Sequence, residues 1–217
     1  MSITASKVQE LRAKTSAGMM DCKKALEATA GDFEKAVDWL RQKGLSSAGK
    51  KAGRIAAEGT VFSYIHGEGR VGVLLEVNSE TDFVARNEGF KAFVKDIAMH
   101  IAATAPIAVS SDELDQNLIA REREVLMAKA REQGKKEDML AKIVDGQIKK
   151  WMADVALLEQ AFVKNPDLKI SDYLKQTIAT IGENIVIRRF VRFELGEGIE
   201  KKKEDFAAEV AAVQGSN

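Results

Sequence analysis

Apolar residues recur along the chain with changing periods, and each period predicts an element. Over the first 44 residues the spacing is helical. Val8 and Leu11 share a face of a first helix that Thr4 can cap, and Thr15-Ser16-Ala17-Gly18 breaks it. Met19, Cys22, Ala25 and Leu26 lie on one face of a second helix, which Gly31 ends. Asp32 can cap a third, with Phe33, Ala36, Val37 and Leu40 inward and Trp39 flanking them. Three such short helices make a small bundle, marginal by itself.

From Leu45 to Glu58 the residues are small, polar and glycine-bearing, which predicts a flexible linker. The period then shortens to that of strands. Thr60–Ile65 and Val71–Val77 flank His66-Gly67-Glu68-Gly69-Arg70, the pattern of a β-hairpin. Thr81-Asp82 is a helix-start signal, and Phe90, Phe93, Val94, Ile97 and Ile101 form one apolar helix stripe. Residues 112–132 and 136–158 read as two charged helices with Gly134 between them. Leu114, Leu118, Val125 and Leu126 are expected to face Leu140, Ile143, Ile148, Trp151 and Val155 in a protruding antiparallel coiled coil. Ser171 can cap a short helix ending near Gly182. Ile185–Leu195 reads as a strand that should join the hairpin's sheet, and Lys203–Val213 as a last helix. No internal repeat is visible.

The expected fold class is α+β. A three-helix unit (1–44) and a linker (45–58) precede a core of a small antiparallel sheet with helices (59–112 and 159–198). A coiled-coil hairpin (113–158) interrupts that core, and a C-terminal module (199–217) closes the chain.

Composition narrows the function classes. The 217 residues are 45% apolar and 30% charged, an ordinary globular mix with a real core. Lys plus Arg and Asp plus Glu both number 33, which excludes coating of nucleic acid by bulk charge. Cys22 is the one cysteine, so neither a disulfide framework nor a multi-thiolate zinc site is available. His66 and His100 lie far apart and leave little room for a histidine metal site. No metal and no cofactor are expected. Met1–Glu10 carries no apolar leader core. Val71–Val77 and Ile97–Val109 are too short to cross a bilayer, the second also holding Pro106. A reducing cytoplasm and no membrane partner fit these features.

Most chemical motifs favour plain structural readings. Gly67, Gly69 and Gly72 fall in the dinucleotide-fingerprint spacing, but a strand follows where a helix N-terminus must meet the pyrophosphate. A hairpin turn is favoured, and no phosphate-loop motif is present. Cys22 reads as a buried structural cysteine, since no histidine lies near it in sequence to act as a base. His100, ending the apolar stripe, reads as a packing or hydrogen-bonding residue rather than a catalyst. Lysine pairs such as Lys135-Lys136 and Lys149-Lys150 are diluted by acidic neighbours and read as solvated helix faces. Two features stay open between structure and function. Met19 and Met20 either pack at the edges of the bundle or expose a thioether to a partner. Thr81-Asp82-Phe83-Val84 either caps and staples a helix or projects Phe83 as a wedge.

At these residues the chain resembles the bacterial translation elongation factor Ts family, guanine-nucleotide exchange factors of the GTPase EF-Tu. Leu11–Leu26 and Glu76–Asn87 look like its two signatures. Ile181-Gly182-Glu183-Asn184 and Phe193–Glu200 match further family stretches. Ser16 stands where the family usually has glycine, and Ser79 where cysteine is common. The resemblance implies a ubiquitin-associated-like N-terminal unit and a dimerisation-type core. It implies that Phe83 enters EF-Tu near its Mg²⁺ and phosphate site, with Asp82 fixing the approach and Thr81 and Val84 completing the tip. His100, Ile181 and Gly182 match positions beside the tip. Leu11, Arg12, Met19 and Met20 match the N-terminal surface that grips the nucleotide domain, and the C-terminal helix embraces another part of the partner. Longer members carry two core subdomains, whereas short ones can pair, so a homodimer is consistent with this length. The resemblance implies no enzyme chemistry, no direct nucleotide binding and no specific nucleic acid. The competing classes are a ribosome- or RNA-associated helical protein using the lysine pairs and a nucleotide-using enzyme built on Gly67–Gly72.

Overall fold

Helix α1 (Ala5–Thr15), α2 (Met19–Ala28) and α3 (Phe33–Lys51) close around Val8, Leu11, Cys22, Ala25, Leu26 and Ala36. The computed structural model of the chain describes residues 3–15 and 17–199; Ser16 and the expected helix at Lys203–Val213 lie outside them. The chain leaves α2 through Ala30 and Gly31, both at positive φ, and the Asp32 carboxylate caps α3 by accepting the Lys35 N–H at 3.1 Å. Cys22 is buried, its thiol directed at the Ala17 carbonyl.

The linker expected from Leu45 onward is corrected at its first half, because α3 runs on to Lys51. Small residues here serve close packing, at Ala48 within that stretch and at Gly44 just before it. A Cβ added at Gly44 would lie 3.0 Å from that of Ala179, and Ala48 is buried in the main core. Small side chains let α3 approach α8 (Ile170–Ile181) closely.

Strands β1 (Glu58–His66) and β2 (Val71–Ser79) form the expected hairpin, and β5 (Ile185–Glu194) joins its sheet as expected; the antiparallel order is β1-β2-β5. Gly59 sits at φ +129, where a Cβ would run into the Val77 carbonyl, so glycine alone fits this strand end. The inner face carries Phe62, Tyr64, Val73, Leu75, Val77, Ile185 and Ile187. Against it lies α5 (Glu88–Thr104), with Phe90, Phe93, Val94, Ile97 and Ile101 all buried. The stripe is as expected, but its start is not. Asp82–Ala85 forms a separate single turn, α4, and Asn87 caps α5 by accepting the N–H groups of Gly89 and Phe90. A short ladder, β3 (Ala161–Phe162) with β4 (Asn165–Lys169), leads into α8; it has no counterpart in the sequence reading. Helix α8 begins at Ile170 without a side-chain cap, one residue ahead of Ser171, and ends at Gly182 with φ +92.

The hairpin consists of α6 (Gln116–Glu132) and α7 (Glu137–Val155), turning at Gly134 (φ +69). Its seam is Ala130, Leu140, Val144 and Ile148, flanked by Ile119, Leu126, Met127 and Met152. Of the nine expected facing residues only Leu126, Leu140 and Ile148 belong to this seam; Leu114, Leu118, Val125, Ile143, Trp151 and Val155 do not. Val125 is exposed, Leu114 is buried before α6 begins, and Val144 replaces Ile143 because α7 presents residues 140, 144, 148 and 152 in steps of four.

A candidate partner-docking tip

The tip follows from how β2 ends. Ser79 is buried on the sheet's inner face, and its hydroxyl donates to the Thr81 carbonyl at 2.9 Å, turning the chain. On α4 successive side chains point about 100° apart. Val84 is buried in the main core, and that anchor turns its neighbour Phe83 outward, where the ring is 76% exposed. Asp82 is half exposed and pairs with Arg86 one turn on, at 3.0 Å. Of the two open readings, capping and stapling gives way to projection. Thr81 makes no side-chain cap to α4, and Phe83 packs into no core.

Two carboxylates brace this turn from both sides. Glu183 accepts the Thr81 N–H at 3.0 Å and the Thr81 hydroxyl at 2.8 Å. Glu80 accepts the Asn184 N–H at 2.6 Å and lies 3.4 Å from the Arg54 guanidinium. The buried Asn184 amide donates to the Arg54 carbonyl at 2.8 Å. The structure therefore sets Ile181, half-buried on the core, and the exposed turn at Gly182 beside the tip. Sequence reasoning missed Glu80, Glu183, Asn184 and Arg54 as a group. Arg54 and Glu80 are 26 residues apart and the other pairs 102 to 130, beyond any local pattern.

Comparison with known proteins settles the family. The family model described as elongation factor TS matches residues 9–197. Elongation factor Ts of Geotalea daltonii is 62% identical over 216 residues, covering all of both chains. That of Geobacter sulfurreducens is 61% identical over 215 residues, 99% of this chain and 100% of the relative. That of Alkaliphilus metalliredigens is 62% identical over 211 residues, 97% and 98% respectively. The chain belongs to the elongation factor Ts family. Membership gives it a role in translation elongation.

Besides Val84, two residues that the family resemblance placed at docking surfaces are interior in this chain. His100 is fully buried, twelve residues beyond the start of α5, roughly 18 Å along its axis. Its Nε2 lies 2.9 Å from Gln160 Oε1 and its Nδ1 accepts the Val163 N–H at 3.3 Å. Those partners require a neutral ring with the proton on Nε2. Burial pulls its pKa below the ordinary histidine value, in the same direction. Instead of lying beside the tip, His100 ties α5 to the residues on either side of β3. Leu11 is likewise fully buried, at the centre of the bundle, so it supports a surface without forming one.

The remaining N-terminal positions face outward. Met19 is 41% and Met20 62% exposed, which resolves the open choice for these methionines in favour of exposure. Both begin α2, while the bundle's apolar face is held by Cys22, Ala25 and Leu26. Arg12 and Met19 line one shallow depression with Gln9 and Ala13. A cleft of about 360 Å³ opens beside the contact between the bundle and α8, and its lysines are paired, Lys14 with Glu34 and Lys43 with Asp21. Among the described residues, no group of three or more His, Cys, Asp and Glu side chains could hold a metal ion. No described helix is long and apolar enough to cross a membrane. The Gly67–Arg70 loop joins β1 directly to β2, without the helix a pyrophosphate needs.

Proposed function

We propose that this chain is the guanine-nucleotide exchange factor of the translation GTPase EF-Tu, acting in the cytoplasm without bond chemistry of its own. It binds EF-Tu·GDP, disturbs the Mg²⁺ and phosphate site through the Asp82-Phe83 tip, and so promotes GDP release and GTP reloading. The observation that carries the reading is Phe83 itself, a large apolar ring held 76% exposed on an anchored turn. In this reading Asp82 and Phe83 touch the partner, Thr81 and Val84 hold the turn, and Ile181 and Gly182 flank it. Arg12, Met19 and Met20 supply a second contact on the nucleotide domain.

Magnitudes require both contacts. Burying one phenylalanine contributes roughly 1.5–3 kcal/mol, about ten- to a hundredfold in an equilibrium. A nucleotide with its Mg²⁺ holds a GTPase far more tightly than that. The factor must therefore bind the emptied conformation better than the loaded one. By linkage it then weakens nucleotide binding by the same factor that nucleotide weakens its own binding. Catalytic amounts of the chain should speed release of fluorescent GDP from EF-Tu, and excess GDP or GTP should dissociate the complex. A release rate equal to that of EF-Tu alone would end this reading.

We also propose that two chains pair through the outer face of the sheet. There Ile65, Gly72 and Phe193 stand in register, beside Ser63, Leu74 and Val191. Ile65, Leu74, Val191 and Phe193 are all exposed, where a sheet with one face in water would carry polar residues. A second copy of the same face would cover them as a second layer. Sedimentation equilibrium should give twice the chain mass, reduced to one chain by Leu74→Lys; a monomeric wild type at tens of micromolar rejects the pairing.

A further inference from the structure

We propose that Glu183 is a positioning residue for nucleotide exchange, holding the Phe83 turn in its projecting form before any partner arrives. The inference deepens the exchange-factor reading and rests on it. Helix α4 has four residues, too few to persist on its own propensity. Its N-cap, Thr81, does not cap it; the hydroxyl and the N–H both turn away to the two oxygens of Glu183. Hydrogen bonds to a carboxylate are the stronger kind, and two from one residue fix orientation as well as distance.

The brace is reciprocal. Glu183 takes the N–H of the residue after Glu80, and Glu80 takes the N–H of the residue after Glu183. Each loop therefore holds the other in register across the end of the β2–β5 ladder, where Ser79 faces Ile185. Arg54 closes the same knot from the segment leaving α3, through its carbonyl and its guanidinium. Val84, with Ala85 packed beside it, fixes the depth of the turn, and the Ser79 hydroxyl holds its entry at the Thr81 carbonyl. The Thr81–Glu183 pair adds the two bonds that tie the start of α4 to the neighbouring loop and hold the direction in which Phe83 leaves the surface. A turn ordered in advance spends less of the docking free energy on ordering.

A purely structural clasp would make the same bonds, so the test must separate the two roles. Release of fluorescent GDP from EF-Tu is measured against concentration of full-length wild type, Glu183→Ala, Phe83→Ala and the double variant. Glu183→Ala should lower the maximal rate about ten-fold, with the half-saturating concentration within about three-fold of wild type. On the Phe83→Ala background it should cost nothing further, because it acts through that ring. A wild-type maximal rate in Glu183→Ala, or losses that multiply in the double variant, overturns the proposal. Should Glu183→Ala fail to fold, Glu183→Gln takes its place. The amide offers one acceptor to two donors, so a partial loss is expected and a wild-type rate overturns the proposal. A wild-type chain that accelerates nothing overturns the exchange reading itself, a result distinct from a variant that equals an active wild type.

Discussion

Phe83→Ala should fold and unfold as the wild type does, yet lose most of its power to empty EF-Tu. The ring is 76% exposed and belongs to no core cluster, so its removal leaves no cavity, and surface changes of this kind stay within about 0.5 kcal/mol. Alanine also suits a helical turn better than phenylalanine, so α4 is not unwound. Whatever the variant loses is then lost at the partner. Removing a ring buried only in the complex should slow release about ten- to a hundredfold, the equivalent of roughly 1.5–3 kcal/mol. Complex formation should survive, since Arg12, Met19 and Met20 sit on the bundle and are untouched. Stopped-flow release of labelled GDP beside a thermal unfolding curve reads both halves. Unchanged release with an unchanged melting curve would remove Phe83 from the mechanism.

The elements legible in the sequence were those specified by neighbouring residues. Alternation in Thr60–Ile65 and Val71–Val77 marks two strands, and Phe90 to Ile101 mark one helix stripe, because period reports burial directly. Asp32 and Gly182 mark helix ends because their chemistry acts within a few residues. What escaped was set at long range. Ala48 and its neighbours suggest flexibility by composition, but there and at Gly44 just before them small size serves the packing of α3 on α8 and the core, more than a hundred residues on. The two-residue strand β3 is too short to show a period. At the site, resemblance located Asp82-Phe83, and local chemistry left its direction undecided. The direction is fixed by Val84 in the core and by Glu183, neither of which a local pattern connects to the ring. Leu11 sits within a matched stretch and His100 at a matched position, yet both point inward, since sequence similarity covers supporting positions as well as touching ones.

Phe93→Ala should do the reverse, costing stability heavily and leaving exchange intact wherever the chain stays folded. Phe93 lies ten residues past Phe83 and is 1% exposed. Its ring meets Tyr173 of α8 edge-on, with centroids 5.1 Å apart, and Tyr173 stacks on Phe162 of β3 at 5.0 Å. The Tyr173 hydroxyl donates to Asp96 at 3.0 Å, one turn along α5 from Phe93, and Asp96 also pairs with Lys164 at 2.6 Å. Burial, followed by the nearby Asp96 charge, drives the Tyr173 pKa far above its ordinary value. The phenol therefore stays protonated and keeps donating throughout the working pH range. Removing Phe93 opens a cavity beside this chain of contacts, and Phe→Ala changes in cores cost about 3–5 kcal/mol. Total stabilities run to about 5–15 kcal/mol, so the melting midpoint should fall by roughly 6–20 °C. The Tyr173–Asp96 bond prevents full collapse into the cavity, because the tyrosine cannot follow the lost ring without leaving its acceptor. Tip and brace lie outside these contacts, so release of labelled GDP at 20 °C should match the wild type. A midpoint shift of a degree or two would show that the core closes over the gap and that the aromatic chain holds less of the fold than its geometry implies.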